Sequence, residues 1–285
     1  MPEPPSLHED VKATSPRLKA RLPQQLAGYK SYYDRHKNDK VPVMQSAGDD
    51  SKSQASAAYQ HMIHKYIRCV AALDENIQRL LDQLTAEGIK DDTLIIYTSD
   101  QGYWLGQHGL YDKRLILEES LKMPLIVRYP KEIKPGSVNE YLCCNVDFAP
   151  TLLDYAGVAV PSAMQGRSLR PLLQGKTPTD WRQAIWYAYW AGPPHWGVRT
   201  TEYTLVRFPD TQDFEFYDLK KDPLQRHSVH AESAYSASIA ITQEVLEKMM
   251  GEVGISPSEL PGQPKRRDKP AEAKVRKKRM RTEEE

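Results

Sequence analysis

No stretch of the sequence approaches the roughly 18 consecutive apolar residues that a membrane-spanning helix needs. The opening MPEPPSLHED has neither a basic start nor an apolar core, so neither membrane insertion nor a leader peptide is expected. Cysteine is scarce. Cys69, Cys143 and Cys144 cannot build a framework of bridges, and the adjacent pair would need a strained ring to join, so all three are read as buried free thiols. Neither sign of charge dominates, with a formal net charge of +1, and no internal repeat occurs. Collagen, coiled-coil and disulfide scaffolds are thereby excluded. What is present is a globular composition of 285 residues, 40% apolar and 27% charged, enough for one large domain or a domain with an appendage. The charge is unevenly placed: residues 265–285 carry ten Lys/Arg against five Asp/Glu, leaving a mildly acidic body with a basic tail.

Residues 1–56 contain six prolines and long polar runs without sustained apolar periodicity, which predicts an irregular surface excursion with short helical turns. From Ala57 to Glu87, Met62, Ile63, Tyr66, Ile67, Val70, Leu73, Ile77, Leu80, Leu81 and Leu84 recur at steps of three and four. That spacing predicts one amphipathic helix stopped by Gly88. TLIIYTSD then has the β-branched apolar core of a strand covered on both faces, a buried parallel strand ending near Asp100. PLIVRYP at 124–130 repeats the pattern, and DFAPTLLDYAGV at 147–158 predicts a helix opened near Asp147 and closed by Gly157. Together they predict an α/β core over 57–175. Residues 176–255 change texture: AIWYAYW, WGVRTTEYTLVRF and FEFYDL predict an antiparallel sheet, closed by a helix over about 232–251. Residues 256–285 are too charged and too poor in apolar side chains to offset their ordering entropy, and are expected to be a disordered basic tail.

The stretch most suited to chemistry is SDQGYWLGQHGLYDKR, residues 99–114. It follows a predicted central strand, at the carboxyl end where open α/β sheets bind ligands. Asp100 offers a carboxylate and Gln101 an amide carbonyl, hard oxygen donors suited to calcium or magnesium. Gly102, Gly106 and Gly109 allow the backbone to bend there. His108 adds a titratable group, and Lys113 adds a point positive charge able to face an anion held by the metal. A cation with a lysine implies an oxyanion substrate.

This string resembles the C-terminal metal-and-sulfate motif of the type I sulfatases of the alkaline phosphatase superfamily. ALDENIQRLLDQL resembles the helix that precedes that motif, PLIVRYP the next strand, DFAPTLLDYAGV the helix after it, and FEFYDLKKDPLQRHSV the late strand and turn. The resemblance covers roughly residues 57–250. It implies a partial alkaline-phosphatase-like mixed sheet flanked by helices, with a small antiparallel sheet-and-helix subdomain behind it. It also implies that Asp100 is a calcium ligand, with Gln101 in the neighbouring ligand position where the family more often has Asn. Lys113 resembles the lysine that contacts the sulfate and assists the leaving oxygen. His108 lies in the family's Gly-x-His-Gly turn and is carried over as a catalytic-site residue, chiefly supporting the loop.

The departures matter equally. The family's nucleophile is a formylglycine made from Cys in a Cys-x-Pro-x-Arg segment. None of the three cysteines begins that pattern, and no Ser-x-Pro-x-Arg replaces it. A strand ending in paired aspartates and a His-x-Pro-His segment are missing too. The sequence therefore reads as the C-terminal half of a sulfatase, binding calcium weakly, inactive alone, and prone to associate through an uncovered sheet edge. A sulfated small molecule or glycan is the expected substrate. Two other readings remain open: a non-catalytic binding protein retaining a residual cation loop, and a phosphodiesterase or phosphatase of the same superfamily. His61 and His64 are read as ordinary helix histidines and Asp49–Asp50 as a solvated turn. His195 is read as sheet core, Arg199 as a strand-edge charge, and the tail as a solvated extension rather than a nucleic-acid binder.

Overall fold

The computed structural model describes residues 1–4, 7–8, 28–191, 194–209 and 213–262. Most of the basic tail, and much of the N-terminal excursion, lie outside the described residues. A first helix, α1, covers residues 28–36, and a single turn, α2, covers Pro42–Gln45. The long helix α3 runs Ser51–Ala86. It therefore begins six residues before the apolar periodicity does. Asp50 is its N-cap, accepting from the amides of Lys52 and Ser53 at 3.0 and 2.9 Å and so satisfying two of the helix's unpaired donors. The expected solvated turn at Asp49–Asp50 is thus a helix start. Its first turns carry small buried residues, Ala55, Ala57 and Ala58, and Ala55 and Ala58 join Tyr29 and Leu7 in one cluster, so part of the expected surface excursion is core. Beyond His64 the helix is less covered, and Tyr66, Val70, Leu73 and Leu80 are exposed. Among the described residues no helix is long and apolar enough to cross a membrane.

After α3, β1 (Ile95–Thr98) pairs antiparallel with β4 (Leu125–Arg128) as a two-stranded sheet. The strands predicted from TLIIYTSD and PLIVRYP are present, but the buried parallel environment expected of the first is not. Ile126 is 64% exposed and Tyr97 is 37% exposed, because a two-stranded ribbon cannot cover both of its faces. Between them lie β2 (Trp104–Leu105) and β3 (Tyr111–Asp112), a short ladder pairing Trp104 with Asp112, and the single turn α4, Glu118–Leu121. Helix α5 (Phe148–Tyr155) ends before Gly157, whose φ of 70° suits glycine. The turn α6 (Arg170–Leu173) packs beside it. Asp147, fully buried, receives the amides of Cys144 and Arg167 at 2.9 and 2.8 Å and the guanidinium of Arg182.

The antiparallel subdomain is a four-stranded meander in the order β5 (Ala184–Tyr189), β6 (His195–Thr200), β7 (Tyr203–Phe208), β8 (Asp213–Asp218), followed by α7 (Ser236–Val253). Alternation along its strands divides its side chains between two cores. Leu205 and Phe216 join Val198, Ile239 and Leu246 under α7. Val206, Phe208 and Tyr217 face the other way, onto Trp104, Leu110, Leu115, Ile116 and Leu117. The sheet is therefore the floor on which the 99–114 loop rests. Folded structure continues past 255: the 3-10 turn Pro257–Glu259 is capped by Ser256, Leu260 is buried, and the Trp190 indole donates to the Glu259 carbonyl at 2.8 Å.

All three thiols are free, but they are not equally buried. Cys69 is exposed on α3, and Cys143 and Cys144 are half-buried. Burial, reinforced by Asp147, raises both of the latter and pushes Cys144 up to about 11.

Candidate active site

Asp100 and Gln101 follow β1 directly, with Asp100 exposed and accepting a hydrogen bond from the Ser99 hydroxyl at 3.2 Å. The next residue, Gly102, donates its amide to the Ser120 carbonyl at 2.9 Å. A Cβ there would lie 2.1 Å from the Glu119 carbonyl oxygen and 2.7 Å from that of Lys122, so only glycine lets the turn approach α4. At the far end of the loop, the Arg114 amide donates to the Ser120 hydroxyl at 3.0 Å. The residues following Gln101 and Lys113 are thus both anchored on Ser120. That brings the backbone of the predicted cation ligands and of the predicted lysine to one place. The Lys113 ammonium lies 3.4 Å from Asp112 and is partly exposed.

Backbone strain is concentrated in the same loop. Of the four described non-glycine residues with positive φ, three are His108, Asp112 and Arg114, at 53°, 81° and 115°. Each such conformation costs on the order of 1–3 kcal/mol and persists where the surroundings enforce it.

His108 is nearly inaccessible and stands 3.8 Å from the buried carboxyl of Glu119. Burial lowers its pKa to about 4; the Asp222 carboxylate and a backbone bond to Leu224 only partly oppose that, and Arg226 adds to it. At neutral pH it is an uncharged imidazole packed between the loop and the turn after β8. Burial likewise raises the pKa of Glu119.

Further bonds fix the loop to the sheet. Arg199 on β6 grips Glu118 with two bonds of 2.9 and 3.0 Å, so this residue is an inter-element clamp rather than the expected edge charge. The Gln225 amide oxygen accepts from the Glu118 amide, and Tyr187 donates to the Arg114 carbonyl at 2.9 Å. His195 is fully buried among the rings of Tyr187, Tyr189 and Phe208, as the sequence reading held. Ser120, Glu118 and Gln225 went unnoticed in the sequence, where nothing in residue type distinguishes a loop anchor.

An open cavity of about 430 Å³ adjoins the loop. Gly109, Leu110, Tyr111 and Arg114 form one wall, Tyr29, Tyr32 and Arg35 of α1 another, and Ala58 and Met62 of α3 a third. Arg35, Arg114 and the tyrosines are its polar lining residues, with the Arg114 guanidinium also paired to Asp112. At the strand end, an exposed carboxylate beside an amide fits a hard divalent cation such as calcium. These two side chains alone fall short of its six to eight oxygens.

Comparison with known proteins places the chain among relatives. Residues 16–158 match the sulfatase family, and residues 106–252 match the family described as N-sulphoglucosamine sulphohydrolase, C-terminal. The chain is 40% identical over 249 residues to an N-acetylglucosamine-6-O-sulfatase of Bacteroides thetaiotaomicron, covering 84% of this chain and 45% of that protein. It is 30% identical over 192 residues to a multifunctional alkaline phosphatase superfamily protein of Trinickia caryophylli, covering 61% and 37% respectively. A solved structure in complex with its substrate, D-glucosamine-2-N,6-O-disulfate, superposes with a TM-score of 0.76 at 35% identity, covering 88% of this chain and 60% of that one. The chain thus spans less than half the length of these two relatives.

Proposed function

The chain belongs to the sulfatase family, and from that premise we propose that its 99–114 loop is the cation- and sulfate-holding side of a site for 6-O-sulfated glucosamine. The observation that supports this reading is the double anchoring of the loop on Ser120, by the amides of Gly102 and Arg114, the residues that follow Gln101 and Lys113. The likeness to a glucosamine-6-sulfatase and to a structure holding a disulfated glucosamine supports the choice of sugar.

In this reading Asp100 and Gln101 supply two oxygens to a calcium ion, which when bound polarises the sulfuryl oxygens of the ester. Lys113 places a fixed positive charge against the sulfate and favours departure of the sugar oxygen, where negative charge develops. His108, neutral and buried, holds the loop in its strained shape and is a positioning residue. Arg114 and Arg35 face the glycan across the cavity. The 285 residues contain no Cys-x-Pro-x-Arg or Ser-x-Pro-x-Arg segment, so this polypeptide by itself binds the sulfated sugar and does not attack it.

The test is calorimetric titration of the purified chain with glucosamine 6-sulfate and with glucosamine, each with and without calcium. The sulfated sugar binds more tightly, calcium strengthens the binding, and Lys113→Ala weakens it roughly 10- to 100-fold, the worth of one charge-assisted bond. Asp100→Ala removes the calcium effect. Equal affinity for the two sugars, or indifference to Lys113→Ala, overturns the assignment. Turnover of an aryl sulfate by this polypeptide would refute its proposed lack of a nucleophile.

A further inference from the structure

Two histidines outside the 99–114 loop converge on a single carboxylate oxygen. Asp39, in the turn after α1, has its Oδ2 3.0 Å from Nδ1 of His36 and 3.4 Å from Nε2 of His61. All three ligand atoms lie within 4.8 Å of one another. His36 comes from the end of α1 and His61 from the covered half of α3, where it is buried. In a tetrahedral zinc site with bonds of 2.0–2.1 Å, neighbouring ligand atoms are about 3.3 Å apart, so two of the three edges are already at the required length.

We propose that His36, Asp39 and His61 form a three-ligand site for a divalent transition cation, zinc above all, that clamps α1 to α3 and leaves a fourth position for water. The donor set argues for zinc over calcium, since two imidazoles and one carboxylate suit a borderline-soft ion and calcium takes oxygens almost alone. The surroundings prepare the ligands as well. The Tyr32 hydroxyl lies 3.4 Å from Nδ1 of His61, the ring nitrogen not directed at Asp39, which is the outer partner that orients a ligating imidazole. The rings of Tyr32, His36 and His61 pack against one another, with centroids 4.4 Å apart for the first two and 5.1 Å for the two imidazoles. Lys65 and Arg68 lie near enough for their charges to be felt at His61. Their field also opposes a bound cation, which the Asp39 carboxylate has to offset.

None of these three residues belongs to the proposed sulfate site, so the two readings can fail separately. The experiment strips the full chain with a chelator and titrates it with zinc alone against a chromophoric competitor. Cobalt absorption reports coordination geometry, and melting temperature reports the clamp. The expected result is one saturable zinc per chain, tetrahedral cobalt bands, and a higher melting temperature with zinc. His36→Gln and Asp39→Asn, at the two more accessible positions, weaken zinc binding at least tenfold and abolish the thermal shift. His61→Ala does the same if it folds, and Tyr32→Phe weakens binding about tenfold through loss of orientation. Asp100→Ala leaves zinc binding unchanged. No saturable binding, or binding indifferent to both His36→Gln and Asp39→Asn, overturns the proposal and leaves a hydrogen-bonded cluster.

Discussion

Acidification should weaken this fold through His108. Its pKa is about 4 in the folded chain against 6.5 for an ordinary histidine. Between those values the unfolded chain binds a proton that the folded chain refuses, so stability falls as pH drops from about 6.5 to about 4 and then levels off. A gap of that size corresponds to roughly 3 kcal/mol, at about 1.4 kcal/mol per pKa unit. Glu119 acts in the opposite sense, because its raised pKa makes the folded state the better proton acceptor as pH falls. The total curve is therefore shallower than the His108 contribution alone. Comparing the parent with His108→Asn isolates that contribution, since asparagine tolerates the positive φ of 53° that most residues resist. Urea unfolding at half-unit steps from pH 4 to 7 should give two stability curves that converge by about 3 kcal/mol toward the acid end. Parallel curves would refute the claim that this imidazole is neutral because it is buried.

Two other outcomes follow from single contacts. Gly102→Ala places a methyl against the Glu119 carbonyl and must displace α4, so it should cost about 2–3 kcal/mol in urea unfolding and also weaken glucosamine 6-sulfate binding. Arg182→Met strands the buried Asp147 carboxylate and should cost about 3–5 kcal/mol, whereas Arg182→Met with Asp147→Asn recovers much of the loss in the same assay.

Much of this architecture is written in periodicity. The i, i+3, i+4 pattern of Met62 to Leu84 gave α3, and the aromatic and β-branched runs gave all four strands of the meander. Periodicity fails where small residues carry the helix, which is why Ser51–Ser56 was missed: alanines pack without announcing a face. It also reports a strand's character and not its partner. TLIIYTSD was recognised as a strand, but nothing local says that it pairs antiparallel with Leu125–Arg128. The loop stands out by residue chemistry, because acid, amide, histidine and lysine in one glycine-rich turn are conspicuous. Its supports are not, since Ser120 acts partly through its carbonyl and Gln225 through a hydrogen bond accepted from the backbone of a residue 107 positions away. Likewise His61 looked like one more helix histidine until α1 brought His36 and the following turn brought Asp39 beside it.

The unequal setting of the three thiols has a practical consequence. Cys143 and Cys144 hold their protons firmly at neutral pH and sit half inside the protein, so both the population and the access that an alkylating reagent needs are reduced. Cys69 stands in the open on the outer side of the longest helix. A dye or spin label added near pH 7 therefore attaches at one place, and the native chain reports on its own motions without an engineered handle.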